Sequence, residues 1–224
     1  HFVKDEHIDI VIHLAACVAS SDGLEGRGIL DKNISISENI ALAGRILQPQ
    51  LFINASSTAV YSSVGGKNGE KSLPAPQYNK DCYYGLSKYC SEVLIDFLLE
   101  KEKTRVVHLR ISQIYGDGMR GDRTIPAMRE QLRTDNKILV YGDGERIDNF
   151  IHVDYLVSVV RTFFSGSACG VFNVGQEHIR YYDLAKRLIR EHGNVSSIIA
   201  KEPDGRRDKF QLDVDKLSRH MGSM

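Results

Sequence analysis

The chain has 224 residues, room for one large domain or a domain with a small lobe, and its apolar content suits a globular core. Lys plus Arg balances Asp plus Glu at 29 each, so the net charge is zero. That offers no positive field for a polyanion, which argues against nucleic acid as the main partner.

The first element is IDIVIHL (residues 8–14), a nearly continuous apolar run that suits a strand buried on both faces of a parallel sheet. Residues 33–47 carry Ile36, Ile40, Ala43 and Leu47 at helical spacing. LFINA (51–55) predicts a second strand. Residues 62–81, rich in Gly, Pro, Lys and Ser, predict a loop. Residues 83–101 predict a strong helix, with Leu86, Tyr89, Cys90, Val93, Leu94, Phe97 and Leu98 on one side. TRVVHLRI (104–111) predicts a third strand. Further on, helices are expected at 125–133, 155–164, 181–192 and 212–219. Strands are expected at 137–141, 149–153, 171–174 and 197–201. Strand–helix alternation through Ile111 predicts an α/β fold, a Rossmann-like doubly wound parallel sheet. The mixed remainder predicts a small substrate-binding lobe over the strand ends. The expected division is 1–111 for the dinucleotide-binding core and 112–224 mainly for the lobe, with 149–175 returning to the core.

Cys17, Cys82, Cys90 and Cys169 form no C-x-x-C pair and no zinc spacing, so reduced thiols and no metal are expected. No run of about 18 apolar residues predicts a membrane span. No leader pattern is visible, and a cytoplasmic protein is expected.

The chemistry gathers around the second strand. It ends in Ser56, Ser57 and Thr58, and the helix after it opens with Tyr84-Gly-Leu-Ser-Lys88. Tyr84 and Lys88 stand four apart on one helix face. A Lys cation beside a phenol is expected to lower its pKa, so that Tyr84 takes a proton from an alcohol near neutral pH. The Ser57 hydroxyl could hold the same alcohol. Alcohol oxidation by hydride transfer needs that base, that orienting group and a nicotinamide. Y-x-x-x-K alone is a weak signal; the Ser-rich strand end upstream strengthens it.

In that setting the chain resembles the extended short-chain dehydrogenase/reductases, the NAD-dependent epimerase/dehydratase group. The segments that carry the resemblance are IDIVIHLAA (8–16), NISISEN (33–39), NASSTAVY (54–61), YYGLSK (83–88), LRISQIYGDG (109–118), VYGDGERIDNFIHVD (140–154) and FNVGQ (172–176). The resemblance implies catalysis by Ser57, Tyr84 and Lys88. It implies NAD or NADP held along Leu14, Ala15, Ala16, Asn33, Ala55, Ser56 and Ile111, with Tyr84 and Lys88. It implies a nucleotide-sugar substrate met by Ser57, Thr58, Gln113, Arg146 and Arg207, and a possible homodimer. The family's opening glycine-rich phosphate loop has no counterpart here. Gly23, Gly26 and Gly28 follow the wrong strand, so an absent amino-terminal segment or a fragment is expected.

Departures narrow the reaction. The 4,6-dehydratases of the family follow the catalytic hydroxyl with Asp and Glu, where this chain has Thr58 and Ala59. The 3,5-epimerase/reductases place a Cys acid where Ala59 stands. What remains suits a 4-epimerase similar to UDP-glucose 4-epimerase, or a keto-sugar reductase. A non-catalytic dinucleotide sensor is a third reading. On the substrate side, Gln113 replaces the family's Asn, and Asp148 replaces an Arg that grips phosphate. Arg146, two residues earlier, is the expected substitute.

Overall fold

The computed structural model describes residues 7–18 and 26–222. Gly23 lies outside the described residues. The first half holds β1 (Ile10–His13), α1 (Arg27–Leu47), β2 (Leu51–Ser57), β3 (Gly66–Asn68), α2 (Cys82–Leu99) and β4 (Arg105–Ile111). The second half holds β5 (Gln113–Tyr115), α3 (Thr124–Asp135), β6 (Lys137–Tyr141), β7 (Ile147–His152), α4 (Val153–Thr162), β8 (Gly170–Val174), β9 (Glu177–Arg180), α5 (Tyr181–His192), β10 (Ile198–Glu202), β11 (Phe210–Leu212) and α6 (Asp215–Gly222).

The main sheet has the order β1-β2-β4-β8, parallel throughout. Side chains alternate between its faces. On one face Ile53, Leu109 and Phe172 pack with Leu156 and Phe163, and with Leu217 of α6, in the largest apolar cluster. The other face lies under α1 and α2 and changes character along the strands. Near their starts it is apolar, with Phe52 and Val106 packed against Ala41, Ile95 and Leu99. Toward their carboxyl ends it turns polar. His13, Asn54 and His108 sit in register, and two residues on so do Ser56, Arg110 and Asn173. All six are buried.

That polar layer overturns the expected orientation of α2. The face of α2 turned inward carries Ser87, Lys88, Ser91 and Glu92 along with Ile95. Val93 and Phe97 point outward, at 50% and 72% exposure. Apolar spacing misreads this helix because the surface it covers is itself polar.

The second half builds three small sheets: β5-β7-β9, β10-β6 and β11-β3. A separate cluster of Ile125, Met128, Leu132, Ile138, Leu184 and Leu188 fills the space between α3, β6 and α5. Within 149–175, β7 pairs with β5 and β9 and sends Ile151 into the main core, while α4 packs on the main sheet and β8 joins it. Leu212, expected to open the last helix, ends strand β11 instead, and α6 begins at Asp215.

Candidate active site

β2 delivers Ser57 at its carboxyl end, where the chain folds into a single 3₁₀ turn, Thr58–Val60. The Ser57 hydroxyl oxygen caps that turn, accepting from Ala59 N at 3.1 Å. The same hydroxyl lies near enough to the phenol of Tyr84 to act on its titration. A glycine makes this meeting possible. A Cβ on Gly85 would lie 2.2 Å from the carbonyl oxygen of Ala59, so only glycine lets the start of α2 press onto the turn. Lys88 follows one turn later. Its Nζ donates to the carbonyl of Ala55 at 2.7 Å and sits 5.7 Å from the centre of the Tyr84 ring.

The electrostatics differ from the expectation drawn from spacing. Burial pushes the Tyr84 phenol above its ordinary value, and Arg123 and Ser57 offset only part of that. Lys88 lies over the ring rather than at the hydroxyl, so the cation acting on the phenol here is Arg123 at the start of α3. Arg123 carried no signal in the sequence, being a lone Arg in a loop. Lys88 itself is pressed down to about 8 by burial, which Glu92 partly opposes. His13, at the end of β1, is held neutral by burial and by the charge of Lys88, with its pKa lowered to about 4.

The residues expected along the cofactor divide into two groups. At the end of β1, Leu14 is 68% exposed and Ala15 is exposed, with Ala16 half-buried. This segment is open where the parallel strands end, the edge at which ligands of such sheets usually sit. Three other side chains are committed elsewhere. Asn33 is buried and holds the backbone of Cys17 from both sides, at 2.7 and 2.9 Å, and also reaches Ser87. It fixes the loop after β1. Ser56 faces α2 and donates to Glu92. Ile111 is packed in the apolar core.

The substrate residues also divide. A cavity of about 310 Å³ opens between α3 and β6, lined by Thr124, Met128, Leu139, Tyr181, Arg146 and Arg206 among others. Arg146 stacks on Tyr181, 4.9 Å from guanidinium carbon to ring centre, and bonds Asp148 at 2.6 Å. Gln113 donates to the same carboxylate. Thr58 lies half-buried in the turn after Ser57. Arg207 is a correction. It is exposed and bonds Asp143 and the carbonyl of Pro203, away from the cavity. Its neighbour Arg206 lines the cavity instead. Among the described residues no cluster of metal ligands occurs, and no helix is long and apolar enough to cross a membrane.

The parallel sheet, with Ser57, Tyr84 and Lys88 gathered at its strand ends, is a Rossmann-type α/β fold. The sequence profile of the NAD dependent epimerase/dehydratase family matches residues 1–175. The chain belongs to that family, whose members use NAD and act on nucleotide sugars. It is 28% identical to an ADP-L-glycero-D-manno-heptose-6-epimerase of Brachyspira hyodysenteriae, over 96% of this chain and 70% of that protein. It is 27% identical to the human dTDP-D-glucose 4,6-dehydratase, over 85% of this chain and 55% of that protein. The fold is similar to that of UDP-glucuronic acid 4-epimerase from Bacillus cereus, solved with UDP-glucuronic acid and NAD. The TM-score is 0.81 at 24% identity, over 100% of this chain and 71% of that one.

Proposed function

We propose that the chain carries the catalytic part of an NAD-dependent nucleotide-sugar epimerase working at the sugar C4, with Ser57, Tyr84 and Lys88 as its catalytic set. The observation that carries this reading is the convergence of Ser57, the Tyr84 phenol and Lys88 at one open strand end, with Gly85 letting the helix press onto the turn after Ser57. Ser57 orients the reacting oxygen. Tyr84 takes its proton on oxidation and returns one on reduction. Lys88 has donors left beyond its bond to Ala55 and would hold the nicotinamide ribose. NAD, when bound, supplies the hydride acceptor and donor. The exposed backbone of Leu14 and Ala15 would lie along it. Arg146 and Arg206 would face the nucleotide in the cavity under α3. The division of labour follows: residues 1–111 for the cofactor, and 112–224 mainly for the substrate.

A keto-sugar reductase using the same residues is the second reading. The raised Tyr84 pKa favours it, because a phenol protonated at neutral pH is ready to donate to a carbonyl. Elimination of water is not expected, since Thr58 and Ala59 bring no carboxyl to the turn. Mass spectrometry of full-length enzyme with UDP-, GDP-, CDP- and dTDP-hexoses separates the outcomes. Unchanged mass with altered retention supports epimerisation. A gain of two hydrogens from a keto substrate, with NAD(P)H consumed, supports reduction. A product lighter by one water sinks both, and makes Asp81, the carboxylate acting on Tyr84, the group to mutate.

We also infer a homodimer. Ile46 of α1, with Val93 and Phe97 of α2, forms an outward apolar stripe on two neighbouring helices, and a second copy offers the same stripe in return. Phe97→Asp is expected to shift the protein to monomer in sedimentation. Wild-type protein that is monomeric at all concentrations would overturn the inference.

A further inference from the structure

We propose that Glu92 is a positioning residue that keeps Lys88 charged and locks the catalytic helix to the strand ends. This rests on reading Lys88 as the partner of Tyr84. Glu92 lies one helical turn beyond Lys88 on the buried face of α2, at 3% exposure beside 5%. Its carboxylate is held at both oxygens by Arg110 of β4. Arg110 Nε reaches Oε1 at 2.9 Å and Nη2 reaches Oε2 at 2.7 Å, and Ser56 of β2 also donates to Oε1. The remaining arm of Arg110 donates to the Tyr61 hydroxyl at 2.8 Å, and Tyr61 donates to Asn173 of β8 at 2.8 Å. The carboxylate thus joins the helix directly to β2 and β4, and through Arg110 and Tyr61 to β8, near the ends that carry Ser57.

The arrangement does more than brace. A bidentate Arg would by itself be a neutralised pair with little reach. Here the carboxylate is bonded to the guanidinium and, one helical turn from Lys88 on the same buried face, also acts on the ammonium through space. Among the described residues, the other charged or titratable groups facing Lys88 are few. Tyr84 is on its own helix, His13 faces it from β1, and Arg110 stands beyond Glu92 on β4. β2 and α1 contribute uncharged partners, the Ala55 carbonyl and Asn33 through Ser87. His13 is neutral, so Glu92 is the one negative charge set against the burial of Lys88. Without it, the ammonium would be left with a carbonyl and an approaching guanidinium. A buried amine in that setting gives up its proton.

The test separates charge from shape. The full chain is labelled with 13C,15N-lysine, and the Lys88 side-chain resonance is identified by its loss in Lys88→Arg and followed against pH. In the wild type the midpoint is expected at about 8. Glu92→Gln keeps the shape and removes the charge, and is expected to lower the midpoint by at least about one unit. Glu92→Asp keeps the charge and shortens the arm, and is expected to hold it within about half a unit. A folded Glu92→Gln variant with the wild-type midpoint overturns the proposal. So does a fall in Glu92→Asp as large as that in Glu92→Gln. If Glu92→Gln does not fold, because Arg110 is stranded, Glu92→Gln/Arg110→Met removes both charges. Its Lys88 midpoint must fall below that of Arg110→Met alone, and equal midpoints overturn the proposal. The titration needs no turnover. A protein inert toward every nucleotide sugar would sink the catalytic reading and leave this result standing.

Discussion

Replacing Tyr84 with phenylalanine is expected to lower the turnover of full-length enzyme on its nucleotide sugar by about 10²–10⁴-fold, the usual cost of losing a general acid/base. The change removes one hydroxyl and no ring volume, so the fold should survive. Near-UV circular dichroism and the thermal midpoint check that. Ser57 would keep its cap on the turn through Ala59. The pH profile adds a second reading. Because burial holds the phenol above its ordinary value, the deprotonated form is scarce at neutral pH. Alcohol oxidation by the wild type should therefore accelerate as pH rises, and the residual rate of Tyr84→Phe should not. A mutant that keeps the wild-type rate removes Tyr84 from the chemistry.

Lys88→Met is expected to abolish most turnover and to change how stability depends on pH. Lys88 is buried, and its folded pKa of about 8 lies below its value of 10.5 in an unfolded chain. Below pH 8 both states are charged and the folded state bears the full desolvation cost, on the order of 3 kcal/mol. Between pH 8 and 10.5 the folded state releases its proton first, and that cost disappears. Wild-type stability measured relative to Lys88→Met should thus rise by roughly that amount across the window. The unsatisfied Ala55 carbonyl left by the mutation costs about 1–3 kcal/mol at every pH and does not change the slope. Urea unfolding of both proteins at pH 7.5 and 10.5 measures the difference. A constant gap would show that Lys88 titrates in the folded protein as it does in the unfolded chain, with no lowering by burial.

Much of this molecule was legible in the sequence, for identifiable reasons. The strands of the main sheet are apolar runs because both faces are covered, and β6 and α5 coincide with their predicted bounds. Ser57, Tyr84 and Lys88 were found together because a strand end and the following helix are short-range features. Three kinds of feature escaped. The three-residue strands β3, β5 and β11 are too short to show alternation. The orientation of α2 was misread because the helix rests its polar side on a polar stretch of sheet. Arg206 and Arg207 are neighbours sent in opposite directions, one into the cavity and one to Asp143, and only coordinates distinguish them. The direction of the Tyr84 shift escaped for a related reason. Spacing reports that a cation is near, but not whether it meets the hydroxyl or the ring.

The unequal faces of the main sheet bear on how this sequence can drift over time. On the face under α4 and α6, Ile53, Leu109 and Phe172 contribute volume and apolar area. Exchanges that conserve both are cheap there, typically under about 1.5 kcal/mol. On the face under α2, Asn54, Ser56, His108, Arg110 and Asn173 each answer a named partner. A single replacement strands that partner away from water. Along β2 and β4, tolerance to substitution should therefore alternate residue by residue, permissive at 53 and 109, and closed at 54, 56, 108 and 110. A saturation library scored for soluble expression would display this as a two-residue rhythm. Change on the closed face would have to arrive in pairs.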